Sequence, residues 1–308
     1  MTLLTRQQVL QQVKAKKAFY QSELSNIDLT SANLDRGQFP EAYLRGANLT
    51  DASCYKTDFS RATLRFAKFD DANLVNAILT RAELNSASVC NANFREVRAT
   101  KVNFYGAYLD FLDAAFAIFT NADFREVQGN NCNFSNANLE KTNFTQARIT
   151  HSNFSNANLK NAIAQSADFN HTIWQNANLI RVNFSHSNLT AANFTEANAV
   201  DANFTNTNLT QANLQNGEFI EAIFKKAVFD GANVVNTSFL TANLEEAVFK
   251  NIGFTETILQ DANLENTVWQ NVDFNDCNVD NAVFTNAQGL TSEQKKWLKN
   301  NGALNVPQ

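Results

Sequence analysis

The chain has 308 residues, with 26 Phe but only 9 Gly and 2 Pro, and a formal net charge of −5 at pH 7. No run of about 18 apolar residues is present, which excludes a helical membrane span from the sequence. Residues 1–20 also lack the apolar stretch of a signal peptide, because Arg6, Lys14, Lys16 and Lys17 interrupt them. We therefore expect a cytoplasmic protein. Export without a cleavable signal peptide remains an alternative.

Residues 5–20 are predicted to form a helix. Thr5 is a candidate N-cap, and Val9, Leu10 and Val13 fall on one helical face. The end of a repeat array exposes unpaired strand edges that invite aggregation, so we expect this helix to cover the first repeats. The predicted N-terminal capping segment is 1–21.

A five-residue pattern then runs from Leu24 to Phe284 without a change of phase. Positions whose numbers end in 4 or 9 carry almost only Leu, Phe, Val, Ile or Trp, and a small residue, most often Ala, lies two positions earlier. A helix needs apolar residues every three to four positions and a strand needs alternation, so neither element alone has this period. A chain that turns every five residues would point both positions inward. The period therefore predicts a solenoid.

The tripeptide Ala-Asn-Leu, found at 32–34, 47–49, 72–74, 157–159 and 242–244, resembles the units of pentapeptide-repeat proteins. The resemblance implies a right-handed quadrilateral β-helix with four units in each coil, and about 13 coils in residues 22–288. Coils spaced like neighbouring strands, roughly 4.8 Å apart, would form a rod on the order of 60 Å long. We therefore expect one elongated all-β domain with short N- and C-terminal capping helices.

Residues 289–308 are predicted to form the second cap. Thr291 can begin a short helix that places Trp297 and Leu298 over the last coil. Related proteins that protect topoisomerases dimerise through their C-terminal ends. The resemblance therefore leaves a monomer and a C-terminal homodimer as alternatives.

Apolar residues recur at outward positions 20 apart in the C-terminal half of the repeats. Contiguous exposed apolar surface commonly marks a partner site, although β-branched residues also suit an exposed strand-like ladder. Both interpretations are open for two columns of residues. The candidate partner-binding residues are Ile180, Val200, Ile220, Leu240, Ile223, Val228, Val248 and Val268.

A neighbouring outward column changes sign along the chain, from Arg61, Arg81 and Lys101 to acidic residues. Between 196 and 280 there are 13 acidic and 3 basic residues, a net charge of −10. Duplex DNA carries one charge per roughly 1.7 Å, which is a comparable density. A DNA mimic and a solvated acidic face that keeps the protein soluble are the two interpretations. The candidate acidic residues are Asp201, Glu221, Glu245, Glu246 and Asp261.

Four aromatic residues, Tyr105, Tyr108, Phe111 and Phe116, fall on outward positions of one predicted coil. In this region the two inward positions exchange sizes: small residues occupy positions that are usually large, as Gly129 does, and larger residues occupy the positions that are usually small. The aromatic residues form either a binding belt or local packing over an irregular coil.

Enzymatic chemistry is not indicated. The three histidines, His151, His171 and His186, point outward without a nearby Cys that would complete a zinc site. No Ser-His-Asp set is recognisable, and no glycine-rich phosphate loop occurs. We expect no cofactor and no metal, and we expect the four cysteines to be reduced thiols, mostly in the core.

These features predict a non-enzymatic bacterial scaffold that binds a protein partner of unknown identity through the apolar and acidic surface of its C-terminal half. The chain is expected neither to contact nucleic acid directly nor to span a membrane. One alternative is a DNA-mimicking modulator of DNA gyrase or another topoisomerase, as the resemblance implies. Another is an accessory or effector of a type VI-like secretion system, because Leu-Thr-Arg in the helical leader resembles such proteins.

Overall fold

The computed structural model describes residues 4–308, so residues 1–3 of the predicted N-terminal segment lie outside the described residues. The chain divides into two compact units, Met1–Asn158 (unit 1) and Leu159–Gln308 (unit 2). In each unit, residues 20 apart form parallel β-bridges, as in Asn73 with Asn93 and Asn193 with Asn213, and bridges recur every five residues. One coil of 20 residues therefore has four sides. The all-β repeat solenoid with capping helices is confirmed.

Each five-residue unit ends in a tight turn. The Gly37 amide donates a 2.8 Å hydrogen bond to the Leu34 carbonyl, and Arg36 between them has a φ of 59°. Turns of this kind need a positive φ at their third residue, where glycine or asparagine is usual. Here that position, numbered with a final 1 or 6, carries charged, polar and aromatic side chains in most units. Stacking of the coils, rather than glycine, therefore imposes the left-handed conformation.

The asparagines that precede the large inward residues close these turns. Asn203 Oδ1 accepts a hydrogen bond from the Thr205 amide at 2.9 Å, and the same bond recurs along both units. Asparagines 20 residues apart form columns, and some also bond along the stack: Asn233 Nδ2 donates to Asn213 Oδ1 at 3.0 Å. The main contribution of the Asn columns is local, because a side-chain oxygen satisfies a backbone N–H at each turn.

The core consists of the large and small inward residues, nearly all of them fully buried. Phe204 stacks on Phe184 at 5.2 Å and on Phe224 at 4.6 Å between ring centroids. Burying a Phe side chain contributes about 1.5–3 kcal/mol. The aromatic columns thus hold successive coils together.

The irregular stretch of unit 1 contains two parallel strands, β1 (Gln128–Asn130) and β2 (Arg148–Thr150). A Cβ atom on Gly129 would lie 2.8 Å from Cys132 Sγ and 3.1 Å from Leu109 Cβ. The thiol of Cys132 therefore occupies the space that a large residue fills in other coils.

Unit 2 contains a three-stranded parallel sheet, formed by β3 (Val228–Asp230), β4 (Val248–Gly253) and β5 (Val268–Asp273). Its register aligns Val228 with Val248 and Val248 with Val268.

The N-terminal cap is helix α1 (Arg6–Lys14), which begins after a capping box at Thr5 and buries Val9. The helix is shorter than predicted, because Phe19 already occupies an inward position and stacks on Phe39 at 4.5 Å. The ladder begins at Ala18, which bridges to Gln38. Residues 18–21, which the sequence predicts as part of the cap, thus already belong to the ladder, and the domain boundary between 21 and 22 remains a prediction.

The C-terminal cap is helix α2 (Ser292–Asn300), with a capping box at Thr291. Trp297 stacks on Phe274 at 6.0 Å, and Leu298 is fully buried. After the helix the chain returns to the ladder, since Leu304 bridges to Val283, a contact that the sequence does not predict. Within residues 4–308, no helix has the length and apolarity that a membrane crossing needs.

Candidate partner-binding surface

The apolar stripe, defined as Ile180, Val200, Ile220 and Leu240, occupies the first turn residue in successive coils of unit 2. Each carbonyl accepts a hydrogen bond from the amide 19 positions earlier. Val200 accepts from Arg181 and Ile220 accepts from Asp201, both at 3.0 Å. The backbone ladder therefore aligns the four side chains along one edge.

The stripe is half-buried at all four positions, so it presents less apolar area than the sequence suggests. Ile223, on the side of the coil that follows Ile220, is more exposed, at 39%. Ile223 is thus the most exposed of the candidate apolar residues at this corner, three residues after Ile220 in the chain.

The second apolar column, Val228, Val248 and Val268, lies on a different side of unit 2. These residues are half-buried, and the turn at Lys225 and Lys226 separates their side from that of Ile223. The eight candidate residues thus form two surfaces rather than one.

The candidate acidic residues also divide between two turns. Asp201, Glu221 and Asp261 occupy the second turn residue of the turn that carries the stripe, where Asp201 pairs with Arg181 at 3.2 Å. Among residues 4–308, no cation lies within 4.0 Å of the Glu221 or Asp261 carboxylates. Both side chains are exposed; Glu221 lies beside the stripe, whereas Asp261 lies one coil beyond its last residue, Leu240.

The other two carboxylates are neutralised locally. Lys225 Nζ lies 2.8 Å from Glu245 Oε2, and Lys226 Nζ lies 3.4 Å from Glu246 Oε2. The hydrogen bond to Glu245 raises the pKa of Lys225. Glu245 and Glu246 therefore contribute little net charge to a docking surface, in contrast to Glu221 and Asp261.

The four candidate aromatic residues of unit 1 are exposed, from 36% for Tyr105 to 55% for Phe111. Tyr105, Tyr108 and Phe111 follow one side of the coil, from turn to turn, whereas Phe116 lies at the next turn. Arg125 covers the Tyr105 ring and Arg95 covers the Phe116 ring, each 5.5 Å from the centroid. Tyr105, Tyr108 and Phe111 thus lie on the same side of the coil, and Phe116 lies on another side.

The sequence reasoning missed three exposed isoleucines of unit 2: Ile163, Ile173 and Ile258, with exposures of 42%, 38% and 37%. The available signal was an apolar residue at a position that usually carries Asn or Asp. Ile163 and Ile223 share such a column, with asparagines at the two positions between them.

Burial suppresses thiol chemistry. It raises the pKa of Cys54 strongly, and raises the pKa values of Cys132 and Cys277 to about 12. No group of three or more His, Cys, Asp or Glu side chains in the described part of the chain could hold a metal ion. The three histidines are exposed.

Comparison with known families gives one match along the repeats. A family model described as "Pentapeptide repeats (8 copies)" matches this chain from residue 22 to residue 288. The matched segments are 22–65, 57–95, 91–125, 107–146, 130–163, 165–198, 187–225, 202–239, 222–261 and 257–288. A search of curated proteins found no match.

Several solved structures are similar to this chain. HetL, a pentapeptide repeat protein involved in heterocyst differentiation regulation from the cyanobacterium Nostoc sp. strain PCC 7120, is 22% identical over 91% of this chain and 97% of its own, with a TM-score of 0.25. QnrB1, a plasmid-mediated fluoroquinolone resistance protein, is 16% identical over 63% and 95%, with a TM-score of 0.24. A pentapeptide repeat protein from the Arabidopsis thaliana thylakoid lumen is 23% identical over 45% and 80%, with a TM-score of 0.20.

Proposed function

The chain belongs to the pentapeptide-repeat family, and from this premise we propose that it is a non-enzymatic scaffold whose unit 2 binds a protein partner through the apolar stripe and the acidic residues beside it. The partner would supply apolar side chains to the stripe and basic side chains to Glu221 and Asp261. Its function would therefore depend on outward side chains that the fold does not require.

The observation that carries this proposal is the juxtaposition of apolar and charged residues at one turn. Ile220 is followed by Glu221, which is exposed and has no neutralising cation within 4.0 Å among residues 4–308. Apolar anchors with a charged rim are the usual composition of a specific protein interface.

A non-enzymatic role is supported by the regularity of the turns. Bridges follow one another every five residues through most of each unit, which leaves little irregular backbone to carry catalytic groups. The exposed histidines do not cluster with two further metal-ligating side chains in the described residues.

The test compares the wild-type protein with a Val200→Asp, Ile220→Asp double variant as bait in the native lysate. Asp280 already occupies the same column, so the turn accepts a carboxylate there. The matched control is the Thr190→Asp, Thr210→Asp double variant. These residues are the first residues of turns half a coil away from the stripe, and Asp230 in the same column shows that these turns also accept a carboxylate. We expect a partner to bind the wild type and the control but not the stripe variant. Equal capture by all three proteins would contradict the proposal.

Modulation of a topoisomerase is the second candidate, favoured by the net charge of −10 between 196 and 280. The local pairing of Glu245 and Glu246 with lysines reduces the support that this charge provides. Gyrase supercoiling measured with and without a quinolone tests this candidate, and unchanged supercoiling at micromolar protein would exclude it.

A further inference from the structure

Units 1 and 2 carry rows of opposite charge with the same repeat. In unit 1, the cation row consists of Arg61, Arg81 and Lys101, each at the second residue of a turn. In unit 2, the anion row consists of Asp201, Glu221 and Asp261 at the corresponding turn residue. Members 20 residues apart lie in neighbouring coils, about 4.8 Å apart as paired strands are. Members of the cation row are 20 residues apart, whereas Glu221 and Asp261 are 40 residues apart because Thr241 lies between them. The same column also holds Lys141 and Arg181, which pair with Glu140 and Asp201.

Two charges of each row lack an oppositely charged partner within the described residues of the same chain. Arg81 and Lys101 are exposed, and no carboxylate of residues 4–308 lies within 4.0 Å of either cation. Glu221 and Asp261 are in the same situation with opposite sign. In contrast, Arg61 pairs with Glu41 at 3.3 Å.

The side chains that accompany the two rows are also complementary. The cation row is flanked by three threonines, Thr80, Thr100 and Thr120. Their carbonyl oxygens accept hydrogen bonds from the backbone amides of the three cationic residues at 2.9–3.0 Å. In unit 2, the carbonyls of Ile220 and Leu240 in the stripe accept the amides of Asp201 and Glu221 in the same way, whereas the Asp261 amide bonds to the Asp280 carbonyl. Threonine methyl groups can cover the half-buried apolar side chains without placing a charge against them.

We propose that the partner of the stripe is a second copy of this chain, whose cation row docks on the anion row and the apolar stripe of the first. The inference rests on the proposed binding role of the stripe. Arg61 and Lys101 lie two coils apart, as Glu221 and Asp261 do, so these charges can pair with Arg81 opposite Thr241, whereas two cation rows or two anion rows repel each other. Exposed ion pairs are individually weak and are screened by salt, so the association is salt-dependent.

The experiment measures the mass of the full chain by light scattering at two ionic strengths. At about 0.1 M salt the screening length is about 10 Å, and at about 1 M it is about 3 Å. We expect a mass above the 34.3 kDa of one chain at the lower salt concentration, and 34.3 kDa at the higher one. A wild-type protein that stays at 34.3 kDa in both would overturn the inference.

Charge reversal identifies the surface. Arg81→Glu with Lys101→Glu gives two anion rows, and Glu221→Lys with Asp261→Lys gives two cation rows. Each double variant alone is expected to have the mass of one chain, and an equimolar mixture of the two is expected to associate again. The four sites have φ values of 57–59°. Each substitution replaces one non-glycine residue by another at the same positive φ, so it adds no new backbone strain.

The matched control is Arg36→Glu with Lys56→Glu, which reverses two exposed cations at the same kind of turn residue on another corner of unit 1. This variant is expected to associate like the wild type. Association that persists in the row variants, or a mixture that stays at the mass of one chain, would contradict the inference. The scaffold proposal would survive either result if monomeric wild type captures a different protein that the Val200→Asp, Ile220→Asp variant does not.

Discussion

The backbone N–H of Glu221 donates a 3.0 Å hydrogen bond to the carbonyl oxygen of Leu240 in unit 2. The corresponding bond in unit 1, also 3.0 Å, joins Arg81 to Thr100. The same backbone arrangement thus presents an anion beside an apolar residue in one unit and a cation beside a threonine in the other. The chemical difference between these two surfaces resides in outward side chains, while the backbone ladder that supports them is the same.

Phe204→Ala is expected to lower the free energy of unfolding by about 3–5 kcal/mol, because it removes a fully buried ring from between Phe184 and Phe224. Phe116→Ala is the control, since that ring is 50% exposed and its loss should change stability by less than about 1 kcal/mol. Denaturant unfolding of both variants measures the difference. Equal losses would show that the interior rings do not carry the stability.

Ala191→Gly is expected to stabilise the protein by up to about 1 kcal/mol. Ala191 has a φ of 54°, a conformation that is unfavourable for residues with a Cβ atom and accessible to glycine. Ala18→Gly is the control at a ladder position without positive φ, where glycine should destabilise by roughly 0.5–1 kcal/mol. Thermal unfolding compares the two, and a lower midpoint for Ala191→Gly would argue against backbone strain at the turns.

Gly289→Ala is expected to destabilise the C-terminal end strongly. A Cβ atom there would overlap the Trp269 carbonyl oxygen, and the φ of 83° is also unfavourable. Gly231→Ala has a similarly positive φ of 66°, but its nearest new contact is at 3.9 Å, so it should cost only about 1 kcal/mol. Thermal unfolding of the pair separates steric clash from backbone strain. Similar midpoints would mean that the last coil moves to accommodate the methyl group.

Thiol labelling near pH 8 is expected to modify Cys90 first. Its thiol is half-buried, whereas Cys54, Cys132 and Cys277 are buried, and desolvation strongly raises the pKa values of these three thiols. Burial also raises the pKa of Cys90, so its reaction should be slower than that of a free thiol. A Cys90→Ser variant should therefore show almost no labelling until it is unfolded. Rapid labelling of that variant in the folded state would contradict the assigned core positions.

The sequence predicts the repeat, the interior and both caps because the five-residue period determines which side chains point inward. The sequence does not reveal that Phe19 is the first inward residue of the repeats, because Phe19 follows the helix so closely that the helical pattern and the five-residue pattern overlap. Outward columns are predictable as columns, since Ile180, Val200, Ile220 and Leu240 are 20 residues apart. Their half-buried state is not predictable, because it depends on how each side chain lies against its own turn.

The sequence also does not predict which carboxylates form ion pairs. Glu245 and Glu246 look as acidic as Glu221 by residue type, but the lysines one coil earlier reach only the first two. Such neutralisation depends on side-chain conformations across neighbouring coils. It becomes visible only when distances between those side chains are known.

The measurement that tests the central claim most directly is site-specific photo-cross-linking from the stripe. A photoreactive amino acid is placed at position 200 in one protein and at position 210, half a coil round from the stripe, in the other. We predict a cross-linked protein adduct from position 200 and none from position 210, with both proteins retaining the thermal midpoint of the wild type. Adducts of equal yield from the two positions, or none from position 200, would contradict a partner-binding role for the stripe.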